Sequence, residues 1–141
     1  MTSTTYEIDY KFGKENEKIV LPIITEYFNR DIKQCEERYS NFDFYDDIYK
    51  YELKSFRCTK NRFKNVFIDD TKLEDNTIIL FKYEDALTYI KYNKEQFKNF
   101  KKDYFQRKRN GINDRNKLVV IIPIECLNII YETITEIEID F

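Results

Sequence analysis

The 141-residue chain has no histidine and no tryptophan, one methionine, and only two glycines, two prolines and three cysteines. Without histidine, no serine, threonine or cysteine can be activated by an imidazole, which excludes His-dependent triads. Cys35, Cys58 and Cys126 are widely spaced and odd in number, and none lies in a Cys-x-x-Cys pair. A structural zinc site is therefore not expected, and reduced thiols in an intracellular, cytoplasmic protein fit best. The shortage of glycine leaves no Gly-rich phosphate loop, and with so little Gly and Pro the chain does not read as a linker or a disordered segment. Long apolar runs are also missing. The longest, Leu118 to Ile130, is broken by Pro123 and Glu125 and is too short to span a bilayer, so no membrane partner is expected. The start, Met1-Thr2-Ser3-Thr4-Thr5, has neither a basic region nor an apolar run and does not read as a signal peptide.

What is abundant is aromatic and charged. Twelve Tyr and twelve Phe make up 17% of the chain, and 42% is hydrophobic, enough for a real core. The length suits a single domain over residues 1–141. The net charge of −2 does not by itself favour nucleic acid, but its distribution is uneven. Lys94 to Lys117 holds nine Lys or Arg against three acids, whereas Glu132 to Phe141 holds acids only. Phe97, Phe100, Tyr104 and Phe105 are interleaved with the bases. Aromatics among bases can line a nucleic-acid groove, and Lys101, Lys102, Arg107, Lys108 and Arg109 are the candidate contacts. The bland alternative is a solvated helix face held down by its aromatics.

Periodicity predicts a mixed α/β (α+β) domain. Gly13 to about Arg30 reads as a helix, with Ile19, Val20, Ile23, Ile24, Tyr27 and Phe28 on one face and Pro22 expected to kink it. Phe42 to Tyr45 and Ile48 to Phe56 read as a hairpin, and Thr77 to Tyr83 and Ala86 to Tyr92 as further strands around a Glu84-Asp85 turn. Lys94 to about Gln106 reads as a basic helix closing before Asn110-Gly111. Leu118 to Ile122 reads as a buried strand and Glu125 to Tyr131 as a short terminal helix.

The richest stretch is Phe42 to Lys54. Side chains of a strand alternate between faces, so Tyr49, Tyr51 and Leu53 form a core face while Glu52 and Lys54 project together from the other. Asp46-Asp47 suits the turn, since Asp bonds its own backbone. Closing the hairpin there brings Asp43 beside Lys50 to Glu52. Two carboxylates and a lysine are what a compact site needs to present a divalent metal and a phosphate. The same residues would also make an ordinary cross-strand salt-bridge cluster.

On these residues the chain resembles the PD-(D/E)XK nuclease superfamily, and within it small viral or phage-type members. In that family a helix bears a glutamate, one strand an Asp and the next (Asp/Glu)-x-Lys, on a mixed sheet flanked by helices. The likeness covers roughly Gly13 to Leu87. It implies a restriction-endonuclease-like core, with Asp43 as the strand aspartate, Glu52 and Lys54 as the Glu-x-Lys, and Glu17 as the helix glutamate, Glu15 being the second choice. Phe42 stands where the family motif has proline. The resemblance further implies Mg²⁺, with Mn²⁺ as a substitute, held by Asp43, Glu52 and the Leu53 backbone carbonyl. Lys54 would serve the attacking water and the scissile phosphate. DNA is then the expected partner, a homodimer a natural way to cut two strands, and a host cytoplasm the setting if the protein is viral. The competing function is a catalytically inactive nucleic-acid-binding or structural subunit on the same fold. Lys72 and Arg57 stand outside the motif. Lys72 reads as a surface lysine, and Arg57 as a contact to a DNA phosphate or to an acid.

Overall fold

A computed structural model describes residues 5–37, 40–105, 108–109, 112–113 and 117–133. The chain is a mixed α+β protein, with one long helix and two principal sheets. Helix α1 spans Thr5–Phe28, starting eight residues before the expected start at Gly13. Its first turns leave Ile8 and Tyr10 exposed, so no buried stripe marked them. The buried ridge is narrower than expected. Val20 and Ile24 are fully enclosed, while Ile19 and Tyr27 are about half exposed. The helix continues through Pro22. Pro22 and Lys18 both face solvent, so water can satisfy the Lys18 carbonyl that proline leaves without a donor. Asn29, at φ 52°, ends the helix in the left-handed conformation, and the Arg30 amide reaches back to the Thr25 carbonyl at 3.3 Å.

The larger sheet has six strands: β1 (Lys33–Gln34), β2 (Phe44–Tyr45), β3 (Lys50–Ser55), β5 (Thr77–Lys82), β6 (Ala86–Lys91) and β11 (Asn128–Glu132), in the order β1-β2-β3-β5-β6-β11. Among the described strands only β3 and β5 run parallel, and the excursion between them adds β4 (Asn65–Asp69) to a second sheet. That sheet has the order β4-β10-β7, with β7 at Lys101–Phe105 and β10 at Lys117–Pro123. Alternation along β5 organises the layers. Ile78 and Leu80 join Val20 and Ile24 of α1 on one face, and Ile79 and Phe81 join Val66, Ile68, Val120 and Ile122 on the other. The six-stranded sheet therefore lies between the helix and the smaller sheet.

Two expected helices are strands instead. From Lys94 only the single turn α2 (Lys94–Phe97) is helical, capped where the Asn93 side chain accepts the Gln96 amide at 3.0 Å. The chain then enters β7, paired antiparallel with β10 from Lys101↔Ile121 to Phe105↔Lys117. Every β7 residue is exposed, so no burial period announced a strand, and the ladder to β10 decides its conformation. Beyond it, β8 (Lys108–Arg109) pairs β9 (Ile112–Asn113), and Asn110-Gly111, expected to follow the helix, lies outside the described residues. The predicted terminal helix is a short 3₁₀ turn at Ile124–Cys126 followed by β11 on the edge of β6. Asn128-Ile129-Ile130-Tyr131 is rich in strand formers, and the open edge of β6 supplies the partner.

The predicted hairpin is present. Asp46 Oδ1 accepts the amides of Ile48 at 2.8 Å and Tyr49 at 2.6 Å, the self-bonding turn expected of aspartate. Burial alone would raise the Asp46 pKa, but bonds from Arg30, the Tyr51 hydroxyl and these amides override it and hold the carboxyl well below the usual range. The turn is thereby clamped to the end of α1. Among the described residues, no helix is long and apolar enough to cross a membrane.

Candidate functional site

The register of the hairpin places the motif. Phe44 pairs with Tyr51 and Tyr45 with Lys50, and Asp43 stands just before the paired residues. The β2–β3 pairing stops there, and Leu53 and Lys54 continue beyond the partner strand. Asp43 takes over from the ladder. Its amide donates to the Tyr51 carbonyl at 2.8 Å, and its Oδ2 accepts the Leu53 amide at 2.7 Å. Asp43 is thus anchored on the peptide between Glu52 and Lys54. In a strand the carbonyl of a residue leaves on the same edge as its amide, so the Leu53 carbonyl opens toward Asp43.

Glu17 reaches the same corner from α1. It is buried, with Lys14 Nζ 3.3 Å from its Oε2. Burial first, and the adjacent Asp43 carboxylate second, push its pKa up to about 7. Among the described residues no hydrogen-bond donor reaches its buried Oε1. The group it faces, Asp43, is an acceptor when ionised, so a bond between them needs a shared proton or a cation. Glu15, the second choice, is exposed, and Lys11 lies 4.0 Å from it.

Glu52 and Lys54 share the opposite face of β3, as alternation predicted. Glu52 is buried and accepts Lys72 Nζ on Oε1 at 2.5 Å. Lys72 is thus no free surface lysine. It arrives from the 3₁₀ turn Asp70–Lys72, where Asp69 accepts the Thr71 amide at 3.0 Å. Burial pushes the Lys54 pKa down, the Glu52 carboxylate draws it back up and Lys72 lowers it further. A lysine so tuned transfers a proton more readily near neutrality than a free one. The predicted residues therefore fall into two linked groups, Glu17 with Asp43 and Glu52 with Lys54, joined through the Leu53 peptide. Sequence reasoning passed over Lys14, whose i,i+3 spacing from Glu17 was its only signal.

Of the predicted nucleic-acid contacts, Lys101 and Lys102 are exposed on β7, and Lys102 lies 3.0 Å from Asp70. Lys108 and Arg109 are on β8, and Arg107 lies outside the described residues. Arg57 pairs with Asp9 at 3.1 Å and lies over the Phe12 ring at 4.1 Å.

Among the described residues no three His, Cys, Asp or Glu side chains form a ready metal cage. Magnesium does not require one, since it is commonly held by one or two carboxylates with water and phosphate completing its shell. The donorless Glu17 Oε1 against Asp43 is a polar group that such a cation would satisfy, so these residues fit it. Comparison with family models, curated proteins and solved structures found no match to the chain.

Proposed function

We propose that this protein is a metal-dependent DNA nuclease with a restriction-endonuclease-like core, hydrolysing phosphodiester bonds with an activated water. One observation carries the reading. A buried glutamate oxygen without a donor faces an aspartate that is itself bonded to the backbone of a Glu-x-Lys strand. Asp43 and the Leu53 carbonyl, with Glu17 from the helix, would hold Mg²⁺ or Mn²⁺, and Glu52, held by Lys72 on the other face of β3, would join them only on turning away from Lys72. When bound, the ion would acidify a water and polarise the phosphate. Lys54 is half-buried near the Glu52 carboxylate, where it would orient the nucleophile and offset charge developing on the phosphate. Lys72 neutralises Glu52 in the resting site and is the group a cation must share or displace.

DNA would be gripped by the basic segment, now on strands. Lys101 and Lys102 on β7 and Lys108 and Arg109 on β8, with Arg107 between them in sequence, would contact phosphates. A dimer would bring two such sites to the two strands of a duplex.

The Glu52–Lys72 ion pair favours a second reading, a non-cleaving DNA-binding subunit in which Lys72 permanently occupies the metal's place. Incubation with plasmid and linear DNA in Mg²⁺, Mn²⁺ or EDTA decides between them. Cutting in metal but not in EDTA supports the nuclease. Retention of DNA without cutting in any divalent metal supports the subunit.

A further inference from the structure

A cavity of about 350 Å³ opens beside Glu52, within the size range of small-ligand sites. We infer that it receives the base of an unpaired nucleotide next to the scissile phosphate, so that the substrate is a single strand or a frayed end. This inference rests on the nuclease reading for its orientation, but not for the pocket's chemistry.

Three features define that chemistry. The first is an aromatic platform. Phe42 lines the cavity, and Lys50 Nζ, also in the wall, lies 5.3 Å from the centroid of its ring. The ammonium lies over the π face on the cavity side, and a base would stack on Phe42 by taking its place there. The second is charge balance. Lys50 pairs with Glu74 at 3.2 Å and Lys72 with Glu52, and all four line the cavity. Among the described lining residues the charges balance, and each ammonium is already paired, which argues for a base within and the phosphate at the Glu52 end. The third is a polar reader. Asn41 in the wall carries an amide, the side chain best suited to pair with a base edge. A base paired in a duplex cannot enter such a pocket, since it must leave its stack.

The probes are thymidine 5′-monophosphate and base-free deoxyribose 5-phosphate, titrated in EDTA against ¹⁵N-labelled protein. The nucleotide should shift the amides of Asn41, Phe42 and Thr71, and the base-free sugar phosphate should not. Phe42→Ala should weaken nucleotide binding about tenfold and Phe42→Tyr should preserve it; Asn41→Ala, on an exposed residue, gives a second variant that spares the fold. Equal binding of the base-free probe, or no binding of either, overturns the inference. The two proposals fail separately. Nucleotide binding by a protein that never cuts DNA upholds the pocket and removes the nuclease. Cutting of duplex interiors and single strands at equal rates, unchanged in Phe42→Ala, upholds the nuclease and removes the pocket.

Discussion

Replacing Glu17 by Gln should stabilise the metal-free protein at pH 8 and leave it nearly unchanged at pH 5. Glu17 ionises near pH 7 in the fold, against an ordinary value of 4.5. The folded state therefore holds its proton more tightly than the unfolded chain. The resulting stability is fully present below pH 4.5 and is lost as pH rises through about 7. At about 1.4 kcal/mol per pH unit, the difference sets a ceiling of roughly 3 kcal/mol on the cost of ionised Glu17 at pH 8. Gln removes the charge, and its amide can donate to Asp43, at some loss of ideal geometry. The expected gain at pH 8 is about 1–2 kcal/mol, shrinking to within about 0.5 kcal/mol at pH 5. Urea unfolding in EDTA, at half-unit steps from pH 5 to pH 8, measures it directly. The carboxyl of Asp46 titrates far below this window and does not interfere. A difference between variant and wild type that stays constant with pH, or a variant less stable at pH 8, refutes the carboxylate pair.

Other outcomes follow from the same geometry. Mg²⁺ or Mn²⁺ should raise the melting temperature of wild type, because a ligand of the folded state alone stabilises it by mass action. Asp43→Asn should abolish that response while the metal-free variant stays as stable as wild type or slightly more so, and scanning calorimetry with and without metal tests both. Asp46→Ala should cost about 2 kcal/mol by chemical denaturation, since it leaves the buried Tyr51 hydroxyl without its partner and removes the turn's bonds to the Ile48 and Tyr49 amides. Combined replacement of Lys101, Lys102, Arg107, Lys108 and Arg109 by Ala should weaken DNA binding and flatten its salt dependence, by roughly 0.9 in log–log slope for each phosphate that is no longer neutralised.

The hairpin was legible because its signals were local. Asp46 bonds its own turn, and a period of two put Glu52 and Lys54 on one face. The helix was legible only where Val20 and Ile24 meet the sheet, and its exposed first turns carried no pattern. Strand β4 has a readable alternation, with Val66 and Ile68 buried around exposed Phe67, and is missing from the elements expected of the sequence. Strand β7 had none, because all its side chains face water and its conformation is imposed by β10, a partner distant in sequence. At the site, strand alternation marked Asp43, Glu52 and Lys54, while Glu17 came from the family resemblance alone. The grip of Lys72 on Glu52 could not be read, because a 3₁₀ turn outside the motif delivers it.

The central claim is that Lys54 serves phosphodiester hydrolysis beside Asp43 and Glu52, and single-turnover cleavage of end-labelled DNA tests it most directly. Wild type in Mn²⁺ or Mg²⁺ should cut and in EDTA should not. Lys54→Ala, at equal DNA occupancy, should lose about 10²-fold or more in rate while binding changes little, because the lysine acts where charge on the phosphate is greatest. Lys54→Met keeps the apolar stem and guards against a packing artefact. Cleavage by both variants at the wild-type rate, or DNA binding by wild type without cutting in any divalent metal, would contradict the account.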